Sequence, residues 1–491
     1  MSGQISVARA AALGVGVALV AAAAPPSFAA APAKRPPTAA APADGDAREL
    51  HGGRFGTVHV YVPTGTPQSA AIFVSGDGGW ELGVVNMARA LRATGAVVIG
   101  VDVREYFASL RRTAQGAGAH CQMIAEDFES LSHQVQKQIG MSEYHVPVLI
   151  GYSSGATVVY ATLVQSPPGT FAGALSLGFC PAQDFAGVTL CPGNGLHNTQ
   201  NAQHELVFEP AKTLREPWLA LQGQKDEVCD PHAADEFTSQ VEGGAVVKLP
   251  LVGHGFSVER NFMPQLRAAY ARLAARPAAA AATPGIGDLP LQEVHAAGAA
   301  VEFALLLTGD GGWAGLDQEL AARLAANGVP TVALNSLKYF WTERTPGQTT
   351  RDVERVLRHY LDAWHAQRVL MIGYSFGADV LPFVVNRLPP DLRAKVASVS
   401  LLGLDARASF EVHIAAWVGG DDGGPPTRPE LAALKELPVL CIYGEGESDS
   451  VCPELAAGNV THEQIGKGHH FSGDYALLAD RILRFARTGT P

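Results

Sequence analysis

The sequence predicts an α/β fold in two similar tandem domains, each with a mostly parallel sheet covered by helices on both faces. Short β-branched apolar runs alternate with helical stretches, such as the amphipathic segment RDVERVLRHYLDAW at 351–364. Apolar strands that alternate with helices are typical of a parallel sheet buried on both sides. A chain of 491 residues is also too long for one ordinary core.

The second observation is an internal repeat. Blocks recur in the same order in both halves: FVSGDGGW (73–80) with LLTGDGGW (306–313), AVVIGVDVREYF (96–107) with VPTVALNSLKYF (329–340), VPVLIGYSSGAT (146–157) with RVLMIGYSFGAD (368–379), PWLALQGQKDEVC (217–229) with VLCIYGEGESDSVC (439–452), and GHGFS (253–257) with GHHFS (468–472). The chain is therefore interpreted as a tandem duplication. We predict a first domain at 47–275, an Ala/Pro-rich linker at 276–290 and a second domain at 291–491.

The first 30 residues are predicted to be a cleaved signal peptide. Arg9 precedes an apolar, alanine-rich stretch that ends in the small residues SFAAA. The alternative is a retained membrane anchor, but the apolar stretch is short for a bilayer span. The chain is therefore expected to be exported.

The six cysteines suit an oxidising compartment. Cys441 and Cys452 are expected to form a disulfide because they are the only pair in the second half. Proximity in sequence then favours Cys180 with Cys191, which leaves Cys121 for Cys229. No cysteine has zinc-ligand spacing, so neither a metal nor another cofactor is expected.

The formal net charge is −11, and no Lys/Arg-rich run follows the N-terminal segment. Nucleic acid is therefore not an expected partner, and neither is non-specific adhesion to anionic lipid.

The strongest chemical signal is Gly-x-Ser-x-Gly at the end of an apolar strand and before a helix. This context, found around Ser375 and again around Ser153, is that of a nucleophile elbow. A nucleophilic serine needs a histidine base and an acid that orients the base. The order serine, acid, histidine along the chain is the order found in α/β-hydrolases, so each domain is predicted to have that fold.

The repeat selects the acid and the base from their neighbours. Asp449 precedes Cys452 by three residues, as Asp226 precedes Cys229, which favours Asp449 over Glu445 and Glu447. The match between GHHF and GHGF favours His469 over His470. The predicted catalytic residues are Ser375, Asp449 and His469 in the second domain, and Ser153, Asp226 and His254 in the first.

An oxyanion hole requires backbone N–H donors beside the serine. We predict that Phe376, Asp310 and Gly311 supply them. Trp313, in the same turn, is expected either to contact substrate or to pack beneath the loop.

Two further features concern specificity. Asp379, where the first domain has Thr157, is predicted to bind a cationic group of the substrate, with capping or a structural ion pair as the alternative. Residues 405–430, and their counterpart at 180–212, lie where hydrolases of this fold insert lids.

GDGGW, SLKYFW (336–341), GYSFGADV and GHHF together resemble the bacterial virulence protein VirJ/AcvB family. The second half resembles the VirJ-type domain over nearly its whole length, and the two-part layout resembles AcvB. The resemblance implies a periplasmic α/β-hydrolase that removes lysine from lysyl-phosphatidylglycerol, with peripheral contact to the membrane surface. It implies serine esterase chemistry for Ser375, Asp449 and His469.

Two alternatives remain open from the sequence. One is a general periplasmic carboxylesterase or lipase without preference for a cationic headgroup. The other is a non-catalytic protein that interacts with a secretion apparatus, as the virulence role of the family implies. The chain has two intact sets of serine, acid and histidine, which favour an enzyme over a non-catalytic interaction protein.

Overall fold

The computed structural model describes residues 47–490 apart from 115–120, 186, 213, 276–284, 299, 414–423 and 456–459. The predicted signal peptide and most of the predicted linker lie outside the described residues. Residues 44–491 cluster as one compact unit that contains both sheets.

The first domain contains an eight-stranded sheet and a small three-stranded sheet. Its strands are β1 Arg48–His51, β2 Thr57–Tyr61, β3 Ser69–Val74, β4 Ala96–Val101, β5 Val148–Tyr152, β6 Ala174–Leu177, β7 Ala182–Gln183, β8 Asn198–Gln200, β9 Leu206–Phe208, β10 Trp218–Gly223 and β11 Gly244–Leu249. The large sheet has the order β1-β2-β4-β3-β5-β6-β10-β11. Only β2 pairs antiparallel with its neighbours, so the other pairs form a parallel sheet.

The second domain repeats this arrangement in a seven-stranded sheet. Its strands are β12 Leu291–Val294, β13 Glu302–Leu307, β14 Thr331–Leu334, β15 Arg368–Tyr374, β16 Val396–Leu402, β17 Val439–Glu445 and β18 Val460–Lys467. Their order is β12-β14-β13-β15-β16-β17-β18, with β12 antiparallel and the rest parallel.

Helices connect the strands in both domains. In the first domain they are α1 Leu82–Arg92, α2 Val103–Ala114, α3 Ile124–Gln138, α4 Ser154–Gln165, α5 Pro231–Ser239 and α6 Met263–Ala274. In the second they are α7 Gly315–Ala326, α8 Ser336–Tyr339, α9 Pro346–Ala363, α10 Phe376–Asn386, α11 Pro390–Arg393, α12 Thr427–Ala432 and α13 Tyr475–Thr488.

The apolar strands lie between two helical layers, because alternate side chains point to opposite faces of a sheet. In β13, Phe303, Leu305 and Leu307 enter one core, whereas Ala304 and Leu306 enter the other. β3 divides in the same way between the two cores of the first domain. The predicted fold class, two tandem α/β-hydrolase-like domains, is confirmed.

A packed interface joins the two domains. Trp341 of the second domain is buried, and its indole Nε1–H donates to the carbonyl of Met141 at 2.7 Å. Tyr144 contacts the Trp341 ring and belongs to the core of the second domain. Lys137, at the end of α3, donates to the Trp341 carbonyl and forms a 2.8 Å ion pair with Glu411. α3 is thus fixed against the second domain.

The disulfides differ in part from the expected pairs. Cys441–Cys452 is present as predicted, but the other bonds are Cys121–Cys191 and Cys180–Cys229. The expectation of Cys180 with Cys191, and of Cys121 with Cys229, is therefore wrong. β6 and β10 are parallel neighbours, so the loops after them, which carry Cys180 and Cys229, meet at one edge of the sheet. Topology determines this pairing, whereas proximity in sequence does not.

The segment expected to be a lid in the first domain contains the small antiparallel sheet β7-β9-β8. Part of its counterpart, 414–423, lies outside the described residues. Across the part of the chain that the structure describes, no helix combines the length and the apolar character needed to cross a membrane.

Candidate active sites

Both predicted nucleophiles occupy a strained turn between a strand and a helix. Ser375 has φ 51° and ψ −122°, and Ser153 has φ 55° and ψ −122°. These positive φ values are costly for serine and recur at catalytic turns. A Cβ on Gly373 would lie 2.5 Å from the Gly377 carbonyl oxygen, and one on Gly377 would lie 2.1 Å from that of Leu307. The glycines of GYSFG are therefore required by the tightness of the turn.

In the first domain, the predicted residues form a continuous hydrogen-bonded set. The Ser153 hydroxyl lies 2.9 Å from Nε2 of His254, and Nδ1 of His254 lies 3.0 Å from a carboxylate oxygen of Asp226. Asp226 is buried and also accepts the backbone N–H groups of Val228 and Cys229. This is the geometry of a serine, histidine and acid triad.

In the second domain, Glu447 is the acid that contacts the histidine. Its Oε1 lies 2.5 Å from Nδ1 of His469. Asp449 is exposed and accepts a hydrogen bond from the neighbouring hydroxyl of Ser448. The prediction of Asp449 as the partner of His469 is wrong, and the runner-up Glu447 replaces it.

The error has a structural cause. Glu447 follows the strand-end glycine Gly444 by three residues, as Asp226 follows Gly223. Both acids donate their backbone N–H to that glycine's carbonyl, at 3.3 and 3.2 Å. Because the acid must reach the histidine from the end of the strand, its distance from the strand is fixed. The extra residues of the second copy lie between the acid and Cys452, so counting back from the cysteine selected the wrong carboxylate.

Hydrogen bonding keeps the Glu447 carboxylate ionised. Burial opposes ionisation, but the hydrogen bonds from His469 and from the Gly444 backbone N–H outweigh it and lower the Glu447 pKa. For neighbouring His470, burial and the adjacent His469 lower the pKa. Among the described residues, it is therefore His469 that contacts the supporting carboxylate a general base requires, and its catalytic role stays a prediction.

Ser375 and His469 line the same cavity, of about 270 Å³, at the end of the second sheet. Within the described residues, no hydrogen bond joins these two side chains, in contrast to Ser153 and His254. The two sites therefore differ in geometry. In the first domain the serine is hydrogen-bonded to the histidine, whereas in the second domain it is not. The hydrogen bond between a nucleophile and its base is often long before substrate binds.

The glycine-rich turn lies beside the serine, as expected of an oxyanion loop. Gly309, Asp310 and Gly311 line the cavity with Ser375, and a Cβ on Gly309 would lie 3.5 Å from the Ser375 Cβ. The backbone of Phe376 begins α10, directly after the serine. The oxyanion role of Phe376, Asp310 and Gly311 remains a prediction.

The two domains differ at the position after the serine. Ser154 donates to Asp77 at 2.6 Å, whereas Phe376 packs against the ring of Phe340. Phe376 has no hydroxyl to give Asp310, the counterpart of Asp77, so the loop carboxylate is held differently in the second site.

Asp379 has a structural contact. Its carboxylate accepts the backbone N–H of Asp405 at 2.7 Å. The equivalent Thr157 donates to the carbonyl of Cys180, the residue that corresponds to Asp405. Both residues hold the chain after the neighbouring strand. This contact is neither the cap nor the ion pair considered from the sequence, and the cation-binding role of Asp379 stays a prediction. Among the described residues, those that line the Ser375 cavity do not include Asp379.

Trp313 packs against a core of the second domain and is partly buried. It also lines a smaller cavity beside Gly311 and Glu129, so its position agrees with packing beneath the loop more than with contact at the serine.

One group of possible metal ligands occurs among the described residues: Asp226, Cys229 and His254. Cys229 is bonded to Cys180, and the other two belong to the first triad. This group is therefore explained by the triad and its adjacent disulfide.

The sheet order, the elbow serines and the histidines after the last strands place the molecule in the α/β-hydrolase class. The family model described as bacterial virulence protein (VirJ) matches residues 68–175 and 301–489, more than half of the chain. The chain therefore belongs to the VirJ family. No sequence among the curated proteins matches it.

Solved structures similar to the chain are esterases and serine hydrolases. The esterase domain of a Rhodothermus marinus protein has 16% identity and a TM-score of 0.31, over 44% of this chain and 92% of that one. Est1E from Butyrivibrio proteoclasticus has 12% identity and a TM-score of 0.31, over 47% and 100%. An α/β serine hydrolase without a lid from Xanthomonas campestris has 22% identity and a TM-score of 0.30, over 48% and 98%.

Proposed function

We propose that this chain is a periplasmic serine esterase that hydrolyses the aminoacyl ester of lysyl-phosphatidylglycerol or a related aminoacylated lipid. Ser375 is the nucleophile, His469 the general base and Glu447 the residue that orients His469. The seryl oxygen attacks the ester carbonyl, the lipid hydroxyl leaves with the proton from His469, and water then releases the amino acid.

The main support for this proposal is the set of residues that line the cavity around Ser375. The elbow serine and His469 open into the same space as the carboxyl groups of Glu126, Glu129, Asp310 and Asp317. A small cavity that holds a nucleophile, a base and several acids fits a short acyl group that bears ammonium charge. A purely apolar acyl chain would not complement this acidic lining.

A second candidate function is ester hydrolysis by the first domain. The closed hydrogen-bond path from Ser153 through His254 to Asp226 favours this activity. Its site differs in charge: Arg104 pairs with Asp102 at 2.7 Å and lies against Gly79 of the GDGGW turn. We therefore expect the first domain to accept a different ester from the second.

Contact with the membrane surface is proposed through the loops around the first site. Val228, Leu251 and Val258 are exposed at 69%, 64% and 44%, and they lie on the loops that carry Asp226 and His254. Exposed apolar residues beside a catalytic site suit a protein that takes substrate from a lipid surface. The three disulfides are compatible with the oxidising periplasm.

The decisive assay uses purified mature protein and vesicles that contain lysyl-phosphatidylglycerol, with release of free lysine as the readout. Ser375→Ala should lower the rate by at least about 10³-fold while the fold is retained. Ser153→Ala serves as the matched variant, since it removes the other elbow hydroxyl. Unchanged lysine release by the Ser153→Ala/Ser375→Ala double variant would refute serine catalysis.

The same assay addresses the alternatives. A general esterase or lipase should hydrolyse neutral acyl esters as well as lysyl esters. A non-catalytic interaction protein should release no amino acid from any lipid.

A further inference from the structure

One face of α3 in the first domain forms a wall of the second domain's cavity. Glu126, Glu129, Ser130 and His133 line it. Their spacing of three, four and seven residues places them on one side of a helix. Lys137, one turn beyond His133, holds this helix against Trp341 and Glu411. The cavity around Ser375 is therefore built by both domains.

Glu129 reaches the oxyanion loop. Its Oε1 lies 3.6 Å from the position that a Cβ on Gly311 would take. Within the described residues, the Glu129 carboxyl forms neither a hydrogen bond nor an ion pair. Enclosure between the domains, with Asp310 and Glu126 nearby, raises its pKa to about 8. The charged form of this carboxyl is therefore destabilised, and no ion pair within the described residues offsets this, although Lys338 and Arg215 line neighbouring cavities with it.

Asp317 provides an independent observation from the second domain. It is only 3% exposed, it lines the same cavity, and its Oδ1 has no hydrogen-bond partner among the described residues. The first copy has Val84 at this position, buried in its core. Valine is accommodated there in the first domain, whereas in the second domain the Asp317 carboxyl bonds to the backbone of Gly309 and keeps only Oδ1 without a partner among the described residues. A buried, unsatisfied polar atom is costly unless a ligand completes its hydrogen bonds.

The lining of the Ser375 cavity is acidic. Among the described residues, no lysine or arginine lines the cavity. A metal ion is a poor candidate, because within this part of the chain no three His, Cys, Asp or Glu ligand atoms converge here as they do around Asp226. A cavity of about 270 Å³ with separated carboxyls instead suits an alkylammonium group, which bonds to several acceptors at once.

We infer that Glu129 and Asp317 form a binding site for the side-chain ammonium group of the acyl substrate, so that the first domain determines the specificity of the second domain's active site. This inference rests on the proposed function. It assigns the cation site to Glu129 and Asp317 in place of Asp379, whose carboxylate holds the backbone of Asp405. The first domain thereby contributes to hydrolysis at Ser375 without using its own serine.

The test compares two esters that differ in one ammonium group: lysine p-nitrophenyl ester and norleucine p-nitrophenyl ester. All variants carry Ser153→Ala, so that only the second site acts. At a pH above about 8, where Glu129 is ionised, Glu129→Gln should lower kcat/KM for the lysyl ester by about tenfold or more and leave the norleucyl ester nearly unchanged. Asp317→Val, which installs the residue of the first domain, should act in the same direction.

Glu242→Gln is the control, since Glu242 is an exposed glutamate on a loop of the first domain away from the cavity. Activity on the norleucyl ester reports that each variant has folded. Equal losses on both esters with Glu129→Gln, or no loss on either, would overturn the inference. Failure of Ser375→Ala to abolish hydrolysis of both esters would instead refute the proposed function, so the two failures are distinguishable.

Discussion

Glu447 contacts the base proposed for the second site. In the proposed mechanism its carboxylate orients the imidazole and stabilises the positive charge that develops when His469 takes the serine proton. The backbone N–H of Gly444 donates to the same carboxylate at 2.8 Å and fixes it. Asp449 lies outside this arrangement.

Glu447→Gln should therefore lower kcat for the norleucyl ester by about 10²-fold to 10⁴-fold, because an amide cannot support the imidazolium. Asp449→Asn should remain within about twofold, as expected for an exposed surface change. Steady-state kinetics in the Ser153→Ala background measures both. A larger loss of kcat with Asp449→Asn than with Glu447→Gln would instead identify Asp449 as the acid.

A pH dependence follows from Glu129. Glu129 shares its cavities with titratable groups of both domains: Glu126, His133, Tyr144 and Arg215 in the first, and Asp310, Asp317, Lys338, His469 and His470 in the second. Burial lowers the His133 pKa to about 3, so His133 adds no positive charge near neutral pH. Glu129, with its pKa raised to about 8, is neutral below this pH and ionised above it.

The ratio of kcat/KM for lysyl over norleucyl ester should accordingly increase as pH rises through about 8. Glu129→Gln should flatten that increase. Initial rates across pH 6 to about 9, corrected for spontaneous hydrolysis, measure the ratio. A wild-type ratio that stays constant or falls would contradict the charge assigned to Glu129.

The sequence predicted those site residues whose positions depend on local geometry. The positions of Ser153, Ser375, His254 and His469 follow from a turn and a spacing that are visible in the sequence. The position of Glu129 could not be predicted from the sequence, because its helix and the loop that it faces are far apart in the chain. No local pattern indicates that a glutamate of the first domain lies beside Gly311 of the second.

Among the elements, the loop from Cys441 to Cys452 supports the acid of the second site. The disulfide closes it with a sequence separation of 11, and Glu447 lies within it. In the first domain, Cys180–Cys229 attaches the loop after Asp226 to the neighbouring strand connection. Each acid therefore lies on a loop that a disulfide restrains.

Cys441→Ser/Cys452→Ser should lower the free energy of unfolding by about 3 kcal/mol, as expected for a closed loop of this size. It should also reduce kcat at the second site, because Glu447 loses its fixed position. Urea denaturation and norleucyl ester kinetics measure the two effects. Cys121→Ser/Cys191→Ser is the control, with loss of stability but little change in kcat at Ser375; equal effects of both pairs on kcat would argue against the restraint.

The order of the elements was predictable because apolar strands and helices alternate clearly in the sequence. The pairing of Cys121, Cys180, Cys191 and Cys229 was not, since it depends on which strands become neighbours. β6 and β10 are adjacent in the sheet, although the small sheet β7-β9-β8 intervenes in the chain.

For the whole molecule, the interface around Trp341 explains why the two domains cluster as one unit. Trp341 connects the segment after α3 to the second core through its ring and its indole N–H. Glu129 lies on α3, and Trp341 contacts Met141 and Tyr144 in the loop that follows α3. The position of Glu129 in the cavity therefore depends on this contact.

Trp341→Ala should cost about 3–5 kcal/mol of stability and reduce the preference for lysyl over norleucyl ester. Trp341→Phe keeps a ring but removes the donor to Met141, and should cost about 1 kcal/mol. Chemical denaturation with ester kinetics measures both. An unchanged preference in a folded Trp341→Ala protein would show that the interface does not position Glu129.

The proposed function requires Ser375 to be a reactive nucleophile supported by His469 and Glu447. Its most direct test is reaction of the mature protein with a fluorophosphonate, followed by mass spectrometry of the modified peptides. We expect an adduct on Ser375 that disappears in His469→Ala and is strongly reduced in Glu447→Gln. Absence of an adduct on Ser375 in the folded wild-type protein would contradict it.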